Sequence, residues 1–352
     1  ASESLPAVAS AEAASDSNAA TEEEPLVIAH LFPDLLNLYG DGGNVTVLAY
    51  RARKRGIPVE VRRVEHGQTC DLSAADIVFL GGGPDREQRL ASEELLRMRD
   101  DLARFVEGDG VLLAICGGYQ ILGREWLLGE DSVEGLGIVD MTTVRAEGGS
   151  GNRLIDNVIL SSPVAKRPVV GYENHAGRTH LGEEVRPFGT VTSTVGHGNN
   201  DDDKADGVLH RNVLGTYLHG PLLSKNPEVA DWLLARALER RAGRTGTPAA
   251  DLAPLDDGAE LELGSVVKVK LTQVLLGGNA SLVQVAEFRL GELRFANVLV
   301  AKLDSLITVF FAGLLLSDHA GTGLDNGDRD HMALFVEDLR HANFSADDCF
   351  HV

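Results

Sequence analysis

Two side chains of this 352-residue chain have the types and settings for nucleophilic chemistry. Cys116 stands at the end of the apolar run Val111–Ile115, and Gly117 and Gly118 follow at once. Apolar residues then resume at helical spacing. That order reads as a buried strand, a sharp turn and a helix, the thiol counterpart of a nucleophile elbow. The glycines fit the chemistry, because a reactive atom on a tight turn needs backbone N–H groups near it and no bulk beside it. A buried core cysteine has much the same local composition, so the reading depends on what else the chain supplies. A thiol needs a base to ionise it and donors to hold an oxyanion. His219 follows the short apolar run Val213–Tyr217 in Leu218-His219-Gly220-Pro221 and is the candidate base. Gly82, Gly83 and Gly117 are candidate oxyanion donors. Arg153, on a loop, can hold a carboxylate through a bidentate pair.

The elements that must position these residues are legible as an alternation. Leu26–Phe32 reads as a first strand, and Asn37–Asn44 as a Gly/Asp/Asn loop. Asn44 can cap a helix whose apolar face is Val45, Leu48, Ala49 and Ala52, with Gly56 as its stop. Ile57–Val64 is a second strand. Asp76–Leu80 is a third, running into Gly81-Gly82-Gly83-Pro84-Asp85. Ser92, with Glu93 and Glu94 behind it, predicts the start of a helix that buries Leu95, Met98, Leu102 and Val106 and ends at Gly108. The Val111–Ile115 strand follows. The β-α-β-β-α-β order predicts an α/β fold, an open and mostly parallel sheet flanked by helices. Ligands bind outside the carboxyl ends of the strands in such sheets, and the Gly81–Gly83 loop, Cys116 and His219 all fall at such ends.

Further along, Gly135–Arg145, Val158–Leu160, Val169–Tyr172, Gly189–Val195 and Val213–Tyr217 read as strands. Asn226 as cap and Pro227 in the first turn predict a helix running to Arg240. The run Asp201-Asp202-Asp203 lacks the spacing and terminal Glu of a calcium loop and reads as a solvated turn. No metal site is expected. Residues 1–24 hold Ala, Ser and six acidic residues, and predict a disordered acidic tail. They have no basic n-region and no apolar core, so no secretory signal is read there. The domain reading is therefore a tail over 1–24, a catalytic domain over 25–243, a linker over 244–261 and an unassigned segment over 262–352. In that last segment Val267–Leu271 alternates like a half-exposed strand, and His319, His331, His341 and His351 are scattered as surface residues.

With 32 Lys and Arg against 53 Asp and Glu, the net charge is −21. So acidic a surface argues against nucleic acid, whose binding rests on neutralising phosphates, and against adsorption to anionic lipid. The longest apolar run, Leu306–Leu316, is too short to span a bilayer, so no direct membrane insertion is expected. Cys70, Cys116 and Cys349 form no C-x-x-C pair, and a reducing cytoplasm fits them.

At this point the motifs carry a resemblance. Ala114-Ile115-Cys116-Gly117-Gly118-Tyr119-Gln120 resembles the nucleophile motif of class I glutamine amidotransferases, in their cobyric-acid-synthase-like branch. Leu38–Asn44, Gly81–Gln88, Gly171–Thr179, Gly196–Asn200 and Gly215–Leu223 narrow it to the glutaminase (GatD-like) subunits of lipid II isoglutaminyl synthases. The resemblance spans about residues 26–242. It implies a flavodoxin-like α/β domain in which Cys116 attacks the side-chain amide of free glutamine, His219 moves the proton, and Arg153 binds the substrate. It also implies a heterodimer with a Mur-ligase-like, MurT-like synthetase. That partner would hold ATP and Mg²⁺, since this chain lacks G-x-x-x-x-G-K-[ST], and would amidate the D-glutamate α-carboxyl of lipid II in cell-wall synthesis. A cobyric acid synthase would instead carry a fused ATP-dependent domain ahead of the first strand. A catalytically silent binding module is the rival from another class. One departure stands out. Many class I members have Glu two residues after the catalytic His, and here Pro221 stands there, followed by Leu222. Glu173 reads better as a structural residue than as the orienter of His219. An acid supplied by the partner is the remaining expectation, and it predicts weak activity for the chain alone.

Overall fold

The computed structural model describes residues 24–128, 131–146, 152–194, 196–246, 248–249 and 252–258, together with the backbone of four strands between 270 and 316. Of the expected acidic tail over 1–24, all but Glu24 lies outside the described residues. So do 262–269, the four scattered histidines and Cys349.

The chain opens on β1 (Leu26–Leu31), every residue of which is buried. It continues through α1 (Gly43–Arg53), β2 (Val59–Val64), β3 (Ile77–Leu80), α2 (Asp85–Arg97), α3 (Arg99–Glu107), β4 (Val111–Ile115) and the short α4 (Gly117–Ile121). Nine short strands follow: β5 (Glu125–Leu128), β6 (Asp131–Glu134), β7 (Met141–Arg145), β8 (Leu154–Ser161), β9 (Val169–His175), β10 (Gly177–Leu181), β11 (Gly189–Val191), β12 (Ala205–Asp206) and β13 (Val208–His210). Then come β14 (Val213–Thr216), α5 (Leu222–Lys225) and α6 (Pro227–Thr245).

The main sheet has the order β13-β14-β4-β3-β1-β2. All of its neighbours pair parallel except β13 with β14. Strands buried on both faces read as continuous apolar runs, and β3 and β4 are such runs, buried at every position. Helices cover both faces. Ile28, Leu113 and Leu214 pack with the apolar stripes of α1 and α6 on one side. Leu31, Leu80 and Ala114 pack with Leu95, Leu102 and Val106 on the other. Two four-stranded sheets, β10-β7-β5-β6 and β12-β11-β8-β9, flank this core. Beyond them, β15 (Lys270–Leu276), β16 (Asn279–Leu290), β17 (Leu293–Lys302) and β18 (Ser305–Leu316) pair as an antiparallel meander.

Several local expectations need correction. Asn44 does not cap α1 but lies in its first turn; its amide donates to the Asp41 carbonyl and its Oδ1 accepts from the Leu223 N–H. Ser92 sits inside α2 and donates to the Gln88 carbonyl, and the helix starts seven residues earlier, after the extended Pro84. The Ser-Glu-Glu run imitates a start signal, but the hydroxyl bonds back to the preceding turn. The strand expected over Gly135–Arg145 begins only at Met141. Asn226 precedes α6 as expected, yet its side chain bonds Val170 and the Leu222 carbonyl rather than capping the helix.

Part of the expected linker packs back on α1. Arg51, 1% exposed, donates to Asp231 at 2.7–2.8 Å and to Asp257 at 2.6 Å, and Arg55 donates to the Ala253 carbonyl. Arg51→Met removes a buried cation that ties α1 to α6 and to residues 252–257. Asp231 and Asp257 are partly solvated and Asp231 keeps Arg55, so the loss falls short of a fully buried pair. A decrease of about 2–3 kcal/mol in denaturant stability is expected.

Candidate active site

The parallel register brings four chain segments to one edge of the sheet. Cys116 follows β4, Gly81–Gly83 follow β3, the Tyr39–Gly43 loop lies between β1 and α1, and His219 stands three residues past β14. Cys116 is half-buried and has φ +49° and ψ −106°. A non-glycine residue pays about 1–3 kcal/mol for such a backbone, a strain that marks functional turns. Neighbours on three sides hold it. The Cys116 N–H donates to the Thr216 carbonyl at 2.9 Å, the Gly118 N–H to the Gly81 carbonyl at 3.1 Å, and the Gln120 N–H to the Cys116 carbonyl at 2.9 Å. A Cβ on Gly118 would lie 2.7 Å from the Gly81 oxygen, and the Gln88 amide fills the space that a Gly117 side chain would need. The two glycines after Cys116 are therefore contact requirements of this turn.

His219 is fully buried. Its backbone exchanges hydrogen bonds with Tyr172 in an antiparallel bridge, at 2.9 Å from His219 N and 3.4 Å from Tyr172 N. Its ring stacks on Tyr172 at 5.5 Å and meets the edge of Tyr39 at 4.7 Å. Its Nδ1 lies 3.0 Å from Oδ1 of Asp41, which is also fully buried. Burial works against a charged ring, but the charge and hydrogen bond of Asp41 outweigh it with help from Cys116, and the ring is raised to about 10. Gly82 sits where the three side chains converge: a Cβ there would lie 3.1 Å from Cys116 Cβ, 3.2 Å from Asp41 Oδ2 and 3.4 Å from His219 Cε1.

The expected site residues divide. Cys116, His219, Gly82, Gly83 and Gly117 come to one edge. The Gly82 N–H, however, donates to Asp41 Oδ2 at 2.9 Å, which corrects its expected place among the oxyanion donors. Gly117 opens α4, so its N–H has no acceptor within the helix. Arg153 donates to Oδ1 and the carbonyl of Asn174 at 2.8 and 2.7 Å. It also reaches the rim of the site: burial pushes Tyr39 up to about 12, against the charge and hydrogen bond of Arg153. Glu173 is structural. Its two oxygens accept from the N–H groups of His197 and Gly198 and it lies 3.6 Å from His175. Burial opposes its charge, and those partners still hold it below the usual carboxylate range.

Asp41, Tyr39, Tyr172 and Gln88 escaped sequence reasoning as site residues. Each lay in a stretch quoted for its motif without a role of its own. The departure at Pro221 was the available signal for Asp41, since an acid absent from one place must be sought at another strand end.

Comparison with known proteins fits this geometry. A profile of the CobB/CobQ-like glutamine amidotransferase domain matches residues 27–227, the stretch that carries every element of the site. The chain belongs to the CobB/CobQ-like glutamine amidotransferase family. Among curated members it is 41% identical over 244 residues to lipid II isoglutaminyl synthase (glutamine-hydrolyzing) subunit GatD of Staphylococcus aureus strain N315, covering 69% of this chain and 94% of that one. The subunit of the same name from Streptococcus pneumoniae strain ATCC BAA-255 / R6 is 38% identical over 220 residues, 62% of this chain and 83% of that one. Cobyric acid synthase of Listeria innocua is 31% identical, over only 43% of this amidotransferase and 30% of that enzyme. No helix among the described residues is long and apolar enough to cross a membrane.

Proposed function

We propose that the chain hydrolyses free glutamine and passes the ammonia to a Mur-ligase-like synthetase that amidates lipid II. Support comes first from identity that runs along nearly the whole length of a GatD subunit, against less than a third of a cobyric acid synthase. The Cys116–His219 pair at one sheet edge supplies the chemistry. Nε2 of His219 takes the thiol proton, and the Cys116 sulfur attacks the side-chain carbonyl carbon of glutamine. The N–H groups of Gly83 and Gly117 hold the oxyanion. The C–N bond breaks as the His219 proton passes to the departing nitrogen, leaving a glutamyl thioester and ammonia. Water, deprotonated by His219, then cleaves the thioester to glutamate and restores the thiol. ATP and Mg²⁺ belong to the partner, which activates the D-glutamate α-carboxyl so that ammonia yields D-isoglutamine.

The deciding experiment measures ammonia release from glutamine by the chain, alone and with the synthetase, and follows lipid II by mass. Conversion of the D-glutamate residue to its amide, dependent on both proteins and on ATP, is expected. Ammonia release without any amidated lipid II would overturn the assignment of the acceptor. In this scheme Arg153 binds the glutamine α-carboxylate. A charge-assisted bond of that kind is worth about 1.5–3 kcal/mol, so Arg153→Ala should raise KM for glutamine about 10- to 100-fold with a much smaller change in kcat. A change confined to kcat would remove Arg153 from substrate binding.

A further inference from the structure

We infer that Asp41 is the third member of the catalytic machinery, a positioning residue supplied by this chain's own β1–α1 loop in place of the acid that other members carry after the histidine. The inference rests on the glutaminase reading above. It reverses the expectation that a partner must complete the site.

The packing around Pro221 brings the loop of Asp41 against the segment that follows His219. A Cβ on Gly43 would lie 2.3 Å from the Pro221 ring, so the start of α1 rests directly on the residue that occupies the usual place of the acid. Asn44 completes the clamp. Its Oδ1 accepts from the Leu223 N–H at 2.9 Å, and its amide donates to the Asp41 carbonyl at 3.0 Å. The loop is also pinned from below, because the Leu38 N–H donates to the Gly82 carbonyl and the Gly42 N–H to Asn37 Oδ1. Asp41 thus has little freedom, and both its carboxylate oxygens are used. Oδ2 takes the Gly82 N–H at 2.9 Å, and Oδ1 faces Nδ1 of His219 at 3.0 Å.

The chemistry follows from the acceptor-only character of a carboxylate. Opposite it, Nδ1 must carry a proton. Nε2 is then the nitrogen that exchanges a proton with Cys116, and it has no other hydrogen-bond partner among the described residues. When that proton arrives the ring becomes an imidazolium, and Asp41 compensates its charge. The other titratable groups around the ring do not. Burial raises Tyr39 and Tyr172 and keeps both neutral, and Asp206, which burial also raises, accepts from the Thr216 hydroxyl and makes no hydrogen bond to the ring. Lys225, whose ammonium lies near Gly220, is lowered by burial. Cys116 is the reacting partner itself.

The test uses the full chain with Asp41→Asn, Asp41→Glu and Cys116→Ala. Asp41→Asn keeps the shape but offers an amide that can donate to Nδ1 and favour the wrong tautomer. In a serine triad that change costs roughly 10⁴-fold. A thiol needs less help to ionise, so kcat/KM for glutamine should fall about 10²-fold. Loss of the proton from His219 sets the alkaline limb of the pH profile. Without its carboxylate the ring holds that proton less tightly, and the limb should move to lower pH by at least one unit. The rate at which iodoacetamide alkylates Cys116 at pH 7 should fall as well, and Asp41→Glu should recover part of each loss. An Asp41→Asn protein whose pH limb and alkylation rate match the parent, whatever its activity, would overturn the inference. No ammonia release from glutamine by the parent chain, or release that survives Cys116→Ala, would instead overturn the Cys116-dependent glutaminase reading, and the alkylation measurement, which needs no glutamine, would still decide the place of Asp41.

Discussion

Cys116→Ser is expected to release ammonia from glutamine at least about 10⁴-fold more slowly than the parent chain, and His219→Ala to do the same. The double variant should be no worse than either alone, because nucleophile and base act as one unit and removing one leaves the other without work. A serine hydroxyl ionises far less readily than a thiol, and Tyr39, Tyr172 and Asp41 fix the ring of His219 in place. Loss of activity through unfolding can be separated from loss of chemistry at the same residue. Cys116 holds φ +49°, a value that glycine adopts without strain. Cys116→Gly should therefore be as inactive as Cys116→Ser and remain folded, the relief of strain offsetting the lost packing of the thiol and the greater freedom of glycine in the unfolded chain. Substantial turnover by any of these variants would remove the Cys–His mechanism.

The contrast between Cys116 and Asp41 shows what this sequence reveals and what it hides. Cys116 announces itself locally, because a five-residue apolar run, a polar atom and two glycines fall within eight positions. Its partner His219 is nearly as legible, as the histidine at the end of a second apolar run. Asp41 is 178 residues from His219 in sequence. It sits in a Gly/Asp/Asn stretch that turn chemistry alone would explain. Only the parallel order β14-β4-β3-β1 and the fold of the loop back over Gly81–Gly83 bring it to the ring. Periodicity reports which face of an element is buried: Leu95, Met98, Leu102 and Val106 are buried as expected, but on two helices, α2 and α3, that divide at Met98 and not on the single helix expected from Ser92 to Gly108. It says nothing about which loop crosses which strand end. The misplaced helix start at Ser92 has a related cause. Ser, Asn and Asp side chains also bond to nearby backbone inside a helix, as Ser92 does to the Gln88 carbonyl, and where the helix starts depends on Pro84 and, for α1, on distant groups such as the Leu223 N–H. The reading of Gly82 failed for the same reason: its N–H points to the site, but an acid from another loop occupies it.

Adjacent glycines in the β3 loop should fail in different ways when a methyl group is added, and the difference follows from what each methyl meets. At Gly81 it would lie 2.1 Å from the Leu36 carbonyl oxygen and 3.0 Å from its carbon. Backbone cannot give way as a side-chain end can, so the whole 35–41 loop must shift. Overpacking of this kind costs typically 1–3 kcal/mol and more where nothing relaxes, and Gly81→Ala should unfold at markedly lower denaturant. At Gly82 the methyl would meet only side chains, at 3.1–3.4 Å, in a space shared by Cys116, Asp41 and His219. No backbone atom is met, so the Asp41 carboxylate and the His219 ring edge can give by a few tenths of an ångström at a smaller cost in stability than a shift of the loop. Displacement of about 1 Å between reacting groups can nevertheless cost 10²-fold in rate, and here three groups move apart at once. Gly82→Ala should therefore fold with near-parental stability and lose about 10²-fold or more in kcat/KM for glutamine. Equal stability losses in the two variants, with activity tracking the folded fraction, would mean that the space at Gly82 is a packing requirement of the loop and not the meeting point of the catalytic groups.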